Sequence, residues 1–173
     1  PTGTTSGEVV ARTFSITPAQ VAELKGGQMY VNIHSMNFMN GELRAQLLPG
    51  AVIRSGTLSG DEEVPANSSQ GTGRAVAVLF PSGTRAAVSV NWSGLTGPAN
   101  GGHVHGPAAP GENADIVFDL HPAAATSGAV THALWPITTT QAMDLQSGMT
   151  YVNIHTAMYT AGEVRAQLLP ACP

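Results

Sequence analysis

The sequence predicts an all-β protein, an antiparallel β-sandwich with one short helix per repeat. Three observations predict it. Twenty glycines and twelve prolines punctuate the 173 residues, so ordered runs are short and turns frequent. Runs such as "YVNIH" and "GEVRAQLLP" alternate polar and apolar residues, the period of a half-buried strand. Finally, "MYVNIHSMNFMNGELRAQLLP" and "TYVNIHTAMYTAGEVRAQLLP" are nearly the same stretch written twice, a duplication at domain scale.

The two copies align without a gap at an offset of 121, which relates His34 to His155, Phe14 to Trp135 and Thr5 to Thr126. In each copy Thr17-Pro18-Ala19-Gln20 or Thr138-Thr139-Thr140-Gln141 forms a capping-box pattern, threonine first and glutamine three residues on. Each opens a short helix, "PAQVAELKGG" or "TTQAMDLQSG", that stops at glycine. In the strand that follows, Val152 and Ile154 face one way and Tyr151, Asn153 and His155 the other. After a loop, Val164, Ala166 and Leu168 oppose Glu163, Arg165 and Gln167. Upstream, "GRAVAVLF" and "TRAAVSVNWSGL" are strands joined by "PSG" as a hairpin. The complete copy starts near Gly56, and the offset projects its partner's start to about 65 residues ahead of Pro1. Residues 1–55 are therefore expected to be the back half of one unit and residues 56–173 a complete second unit.

Composition excludes several classes. Charged residues are 10% of the chain, with one lysine, Lys25, and scattered arginines, so no basic cluster exists to neutralise a run of phosphates in nucleic acid. No apolar run reaches the roughly 20 residues of a membrane helix. Cys172 is the single cysteine, which rules out an intrachain disulfide and places the thiol in a frayed tail. Low lysine and the sequons at Asn67 and Asn91 suit an extracytoplasmic protein, secreted, periplasmic or on the cell surface.

"LSGDEEVPANSSQGTGRAVAVL", "LTGPANGGHVHGPAAPGENADIVFDL" and "GMTYVNIHTAMYTAGEVRAQL" resemble, in that order, the conserved blocks of the CHRD domain, the module named after chordin. The resemblance covers about residues 56–169, and residues 5–48 resemble the domain's second half. It departs from the family pattern at Ala161 and Asn40, where a proline usually precedes the Gly-Glu pair. It implies a secreted or surface-exposed β-rich module, often in tandem, and implies no particular activity.

The chemistry-bearing residues are histidines. His103 and His105 flank Val104, so on a strand their imidazoles lie on one face and can chelate one ion. His155, on the polar side of its own strand, offers a third nitrogen. Imidazole suits copper and zinc, and Met158, three residues past His155, adds a thioether that favours copper as the cofactor over zinc. The H-V-H resembles the copper site of the superoxide-dismutase sandwich, which with the immunoglobulin type is the architecture expected here. The rest of the dismutase pattern is missing. The opposing reading is that the histidines hold a Gly-Pro loop through backbone carbonyls. His34 occupies the position of His155 without an H-x-H partner, which favours that reading. His121 and His132 read as surface or strand-edge residues. Asp61-Glu62-Glu63 reads as a solvated turn, and Glu163 with Arg165, like Glu42 with Arg44, as an ion pair along one strand face.

The functional expectation is a metal-binding module, copper first, that stores, delivers or displays the ion at His103, His105, His155 and Met158. Redox catalysis of the superoxide-dismutase kind is the minor expectation, since no G-x-S-x-G, Walker or HExxH signature is present. The rival is a structural or adhesive module that assembles through residues 1–55, whose open sheet edges invite strand addition.

Overall fold

Threonine capping boxes start both helices, α1 (Pro18–Lys25) and α2 (Thr139–Gln146): Thr17 and Thr138 accept from the backbone of Gln20 and Gln141, whose side chains bond back to the threonine N–H. The computed structural model describes residues 15–170; Cys172, Phe14 and Thr5 lie outside them. The chain divides into two compact units, Pro1–Pro49 and Gly50–Pro173. Val52–Ser55, which the repeat arithmetic assigns to residues 1–55, form the first half of a strand paired with Val76–Leu79 in the second unit.

In the first unit α1 leads into an antiparallel hairpin, β1 (Tyr30–Ile33) and β2 (Leu43–Gln46), with Tyr30 opposite Gln46 and Asn32 opposite Arg44. Among the described residues this hairpin is a two-stranded sheet by itself.

The second unit contains β3 (Val52–Ser59), β4 (Thr72–Leu79), β5 (Arg85–Ser93), β6 (Ala99–His105), β7 (Ile116–Asp119), β8 (Gly128–Pro136), then α2, β9 (Tyr151–Thr156), β10 (Val164–Gln167) and the short β11 (Leu169–Pro170). They form one antiparallel sheet in the order β7-β6-β9-β10-β3-β4-β5-β8, with β11 also on β3. The end strands meet through side chains, Phe118 of β7 stacking on Trp135 of β8 with ring centroids 6.0 Å apart. The sheet is therefore a nearly closed barrel or sandwich. The "PSG" turn joins β4 to β5 as expected, with the Gly83 N–H donating to Phe80 O at 2.9 Å.

Alternation supplies the core. Ala75 and Ala77 of β4, Val88 and Val90 of β5, Val152 and Ile154 of β9, and Val164 and Ala166 of β10 all point inward and are buried, with Leu145 of α2 and Trp135. Each large side chain so enclosed contributes about 1.5–3 kcal/mol. The alternate positions of β6, β9 and β10 face outward, and it is there that the polar residues collect. No helix among the described residues is long and apolar enough to cross a membrane.

Candidate metal centre

β6 and β9 run side by side with His103 opposite Asn153, His105 opposite Tyr151 and Gly101 opposite His155. Val104, Val152 and Ile154 fill the core, so period two places the five polar residues between them on the outer face. Neighbouring strands lie about 4.8 Å apart, which brings rings from both strands into contact. A Cβ on Gly101 would stand 3.3 Å from the His103 ring and 3.6 Å from that of His155; glycine leaves the space in which the two imidazoles meet.

The three histidines expected from the sequence come together. His103 Nδ1 is 2.9 Å from His155 Nε2, and one ring nitrogen of each of His103, His105 and His155 lies within 4.8 Å of the other two. Nitrogens bound to one ion at about 2.0–2.1 Å are separated by about 3.3–4.1 Å, so the cluster could hold a metal with small side-chain movement.

Backbone carbonyls set the protons. His105 Nδ1 sits 2.9 Å from Ala114 O and His155 Nδ1 3.0 Å from Thr160 O. A carbonyl only accepts, so both rings carry hydrogen on Nδ1 and present a bare lone pair on Nε2. Burial lowers the pKa of His105 and His155 below the ordinary 6.5, outweighing the opposing hydrogen bonds, and burial lowers that of His103 likewise. Both Nε2 lone pairs face the same atom, Asn153 Oδ1, at 3.0 Å each. Turning the amide over would place its two N–H donors before these lone pairs and give up only the 3.5 Å contact with Ala161 O, so the Asn153 amide can meet the imidazoles in either orientation. Two Nε2 lone pairs thus converge on the Asn153 amide, and His103 Nδ1, 2.9 Å from His155 Nε2, can donate to one of them.

The loop of residues 106–115 covers this outer face. Arg165 on β10 donates to Glu112 O at 2.8 Å and to Asn113 Oδ1 at 3.3 Å, and Gln167 donates to Ala108 O at 2.9 Å. The Arg165 guanidinium lies 3.6 Å over the Tyr151 ring, and Tyr151 stacks on His105 at 4.6 Å with planes 2° apart. This cation–ring–ring column holds the His105 ring by its face and leaves its edge free to meet the other imidazoles.

Sequence comparison agrees with this architecture. The family model for the CHRD domain matches residues 1–47 and 54–168. The chain belongs to the CHRD domain family. No curated protein and no solved structure matches it.

Of the other residues singled out in this CHRD protein, Met158 lies in the loop after β9, 71% exposed, on the wall of a cavity of about 250 Å3 shared with Glu63, Val64, Pro65 and Tyr159. His121 is exposed and 3.1 Å from Asp119, while His132 takes a left-handed backbone (φ 53) beside the β5–β8 irregularity. Neither joins the cluster. The sequon residue Asn67 directs its amide hydrogens at Gly162 O and Glu163 O.

The expected ion pair of Glu163 with Arg165 does not form. Residues two apart on one strand are about 6.6 Å apart, and each finds closer partners. Glu163 is fully buried and accepts from Ser69 Oγ (2.7 Å), Thr96 N (2.7 Å), Thr96 Oγ1 (2.9 Å) and Thr156 Oγ1 (2.5 Å). Likewise Arg44 turns to Gln46 and to the Tyr30 ring rather than to Glu42. Among the described residues no arginine or lysine pairs with a carboxylate, and the one contact of an imidazole with a carboxylate is that of His121 with Asp119.

Nor are the three acids at 61–63 one solvated turn. Asp61 and Glu62 are exposed on a 3-10 turn, Gly60–Glu62, but Glu63 is buried with its Oε1 unpartnered. It packs against Gly162, a glycine with φ +135, where a Cβ would collide with the carboxyl. Burial raises the Glu63 pKa from 4.5 to about 7 against the opposing pull of Arg165. A raised pKa means that the folded state holds a proton the unfolded chain has lost. The stabilisation it gives is complete below pH 4.5 and disappears as pH rises through about 7. Glu63→Gln is therefore expected to match the parent at pH 4.5 and to exceed it by about 2–3 kcal/mol at pH 8, read from urea unfolding at both pH values. An equal difference at both would sink the assignment.

Proposed function

We propose that this CHRD protein is an extracytoplasmic copper-binding module, ligated by His103, His105 and His155 with Asn153 beside them, that stores, delivers or displays the ion. The observation that carries the proposal is that His103, His105 and His155 bring one ring nitrogen each within 4.8 Å of the others, with Nδ1 of His105 and His155 held by carbonyls so that Nε2 faces inward. A lone pair aimed in this way takes either a polar hydrogen or a cation, and three ring nitrogens this close suit one ion. Nitrogen ligands suit copper and zinc, and copper binds such a set more tightly in the general order of divalent metals. The carbonyls of Ala114 and Thr160 act as outer-shell groups that choose the tautomer and aim the ring. Bound there, copper would supply a Lewis-acidic, redox-active centre. Met158, exposed on the neighbouring cavity wall, is not needed for this set.

The structural reading has one observation in its favour. His34 Nδ1 contacts Met39 O at 2.7 Å, the same loop-holding bond as that of His155, with no H-x-H strand beside it among the described residues. That bond occupies Nδ1 alone, and a metal would use the other nitrogen. Metal content decides between the two. After exposure to equal copper and zinc and exhaustive dialysis, mass spectrometry is expected to find about one copper per chain, lost in His103→Ala. A protein that retains neither metal is a structural module with loop-holding histidines.

A further inference from the structure

The first unit repeats the histidine-bearing half of the centre in detail. In both hairpins an arginine covers a tyrosine, Arg44 on Tyr30 at 3.7 Å and Arg165 on Tyr151 at 3.6 Å. The strand registers coincide at the 121-residue offset, Asn32 opposite Arg44 as Asn153 is opposite Arg165. His34 is pinned through Nδ1 like His155. Gln46 and Gln167 both donate to the carbonyl of the glycine after the helix, Gly27 at 2.6 Å and Gly148 at 2.8 Å.

The differences all fall where the second unit uses its own first half, β3 to β7. Gln167 spends its other bond on Ala108 O in the β6–β7 loop, whereas Gln46 turns to Met29 O. Asn153 Oδ1 faces two imidazoles, whereas Asn32 Oδ1 is buried with no partner. Val152, Ile154 and Val164 are fully enclosed, whereas Val31 and Ile33 are 49% exposed and Leu43 is 66% exposed. In the second unit β9 is flanked by β6 and β10 by β3; β1 and β2 pair only with each other among the described residues.

We infer that the first unit is a preformed half of a second metal centre, and that its partner is a first-half CHRD segment whose H-x-H strand adds to the edge of β1 that pairs with no described residue. Such a strand would place an imidazole against Asn32 Oδ1, join a second nitrogen to His34 and cover Val31 and Ile33, by the strand addition that β6 makes to β9. A second copy of residues 1–173 is not the occupant. Its β6 already lies between β7 and β9, and donating it would open its own core. The inference rests on the copper reading of the complete centre.

The test adds a synthetic peptide of residues 97–122, which spans β6 and β7, to the full 173-residue chain with excess copper, followed by gel filtration and metal analysis. The expected result is about one copper on the chain alone and about two when the peptide co-elutes. In His34→Ala the peptide still co-elutes, showing the hairpin intact, and the second equivalent is lost while the first remains. A peptide that elutes separately overturns the inference, as does a second equivalent that survives His34→Ala. A chain that holds no copper without peptide overturns the copper reading itself, and this inference with it.

Discussion

Glu163→Ala is expected to destabilise the second unit by about 3–5 kcal/mol, the cost of leaving a buried, charge-assisted network without its centre. Its carboxylate gathers donors from three separate segments: Ser69 ahead of β4, Thr96 between β5 and β6, and Thr156 at the end of β9. Removing it leaves a backbone N–H and three hydroxyls without an acceptor at a fully buried position, between the buried Thr156 and the more open Thr96 and Ser69. Glu163→Gln is milder, about 1–2 kcal/mol, because the amide oxygen still accepts from Ser69 Oγ and Thr96 N while the amide nitrogen donates to the two threonine hydroxyls after they rotate. The pH dependence has the opposite sign to that of Glu63. Burial alone would raise the Glu163 pKa, but the four donated bonds hold it below 4.5. Its contribution is therefore present above the unfolded value of 4.5 and is lost as pH falls through the lower folded value. Urea unfolding at pH 7 and pH 3 checks both statements: the gap between Glu163→Ala and the parent narrows in acid. A loss under about 1 kcal/mol at pH 7 would mean that the donors find water instead.

What could be read from the chain was what is local. The capping boxes, the "PSG" hairpin, the inward residues of β9 and β10 and the shared face of His103 and His105 follow from turn chemistry and a period of two. Joining His155 to them was also legible, since all three were polar positions on strands of one sheet. Asn153 was passed over because an outward asparagine on a strand ordinarily faces water. It is buried against the imidazole of His105, 48 positions away in sequence, with His155 and the Ala161 carbonyl beside it. Glu163 and Arg165 were misread for a related reason: most of their partners are 52 to 94 residues distant, and side-chain spacing along one strand carries no record of them. Closure of the sheet through Phe118 and Trp135 is likewise a meeting of its two ends. Glu63 sits beside two acids that really are solvated, and only the glycine at position 162, in the family's Gly-Glu pair, hints that something packs there.

Removing His105 is expected to lower copper affinity more than removing His103, by over about 100-fold against about 10–100-fold, the smaller figure being what loss of an orienting group costs at metal sites. The three proposed ligands are not equally prepared. His105 is 7% exposed, stacked on Tyr151 beneath Arg165 and tied by Nδ1 to Ala114 O, so its lone pair is aimed before any ion arrives and little ordering entropy is lost on binding. His155 is tied in the same way to Thr160 O. His103, half-buried, makes no such carbonyl bond and touches His155 and the edge of His105, so a water can take its place at lower cost. His105→Phe separates ligation from packing, because the ring still fills the space on Tyr151 while the nitrogens are gone. Asn153→Asp probes the point where the lone pairs meet. A carboxylate there adds charge to a cation site and is expected to tighten binding, whereas in a centre without metal it would only draw a proton onto an imidazole. Competition with a chromophoric chelator, with thermal unfolding of each metal-free variant as the control for folding, reads the whole series. Full copper affinity in His105→Phe would remove the ring of lone pairs as the cause of binding. Equal losses at His103 and His105 would show that the ions, and not the Ala114 and Tyr151 contacts, set the positions of the rings.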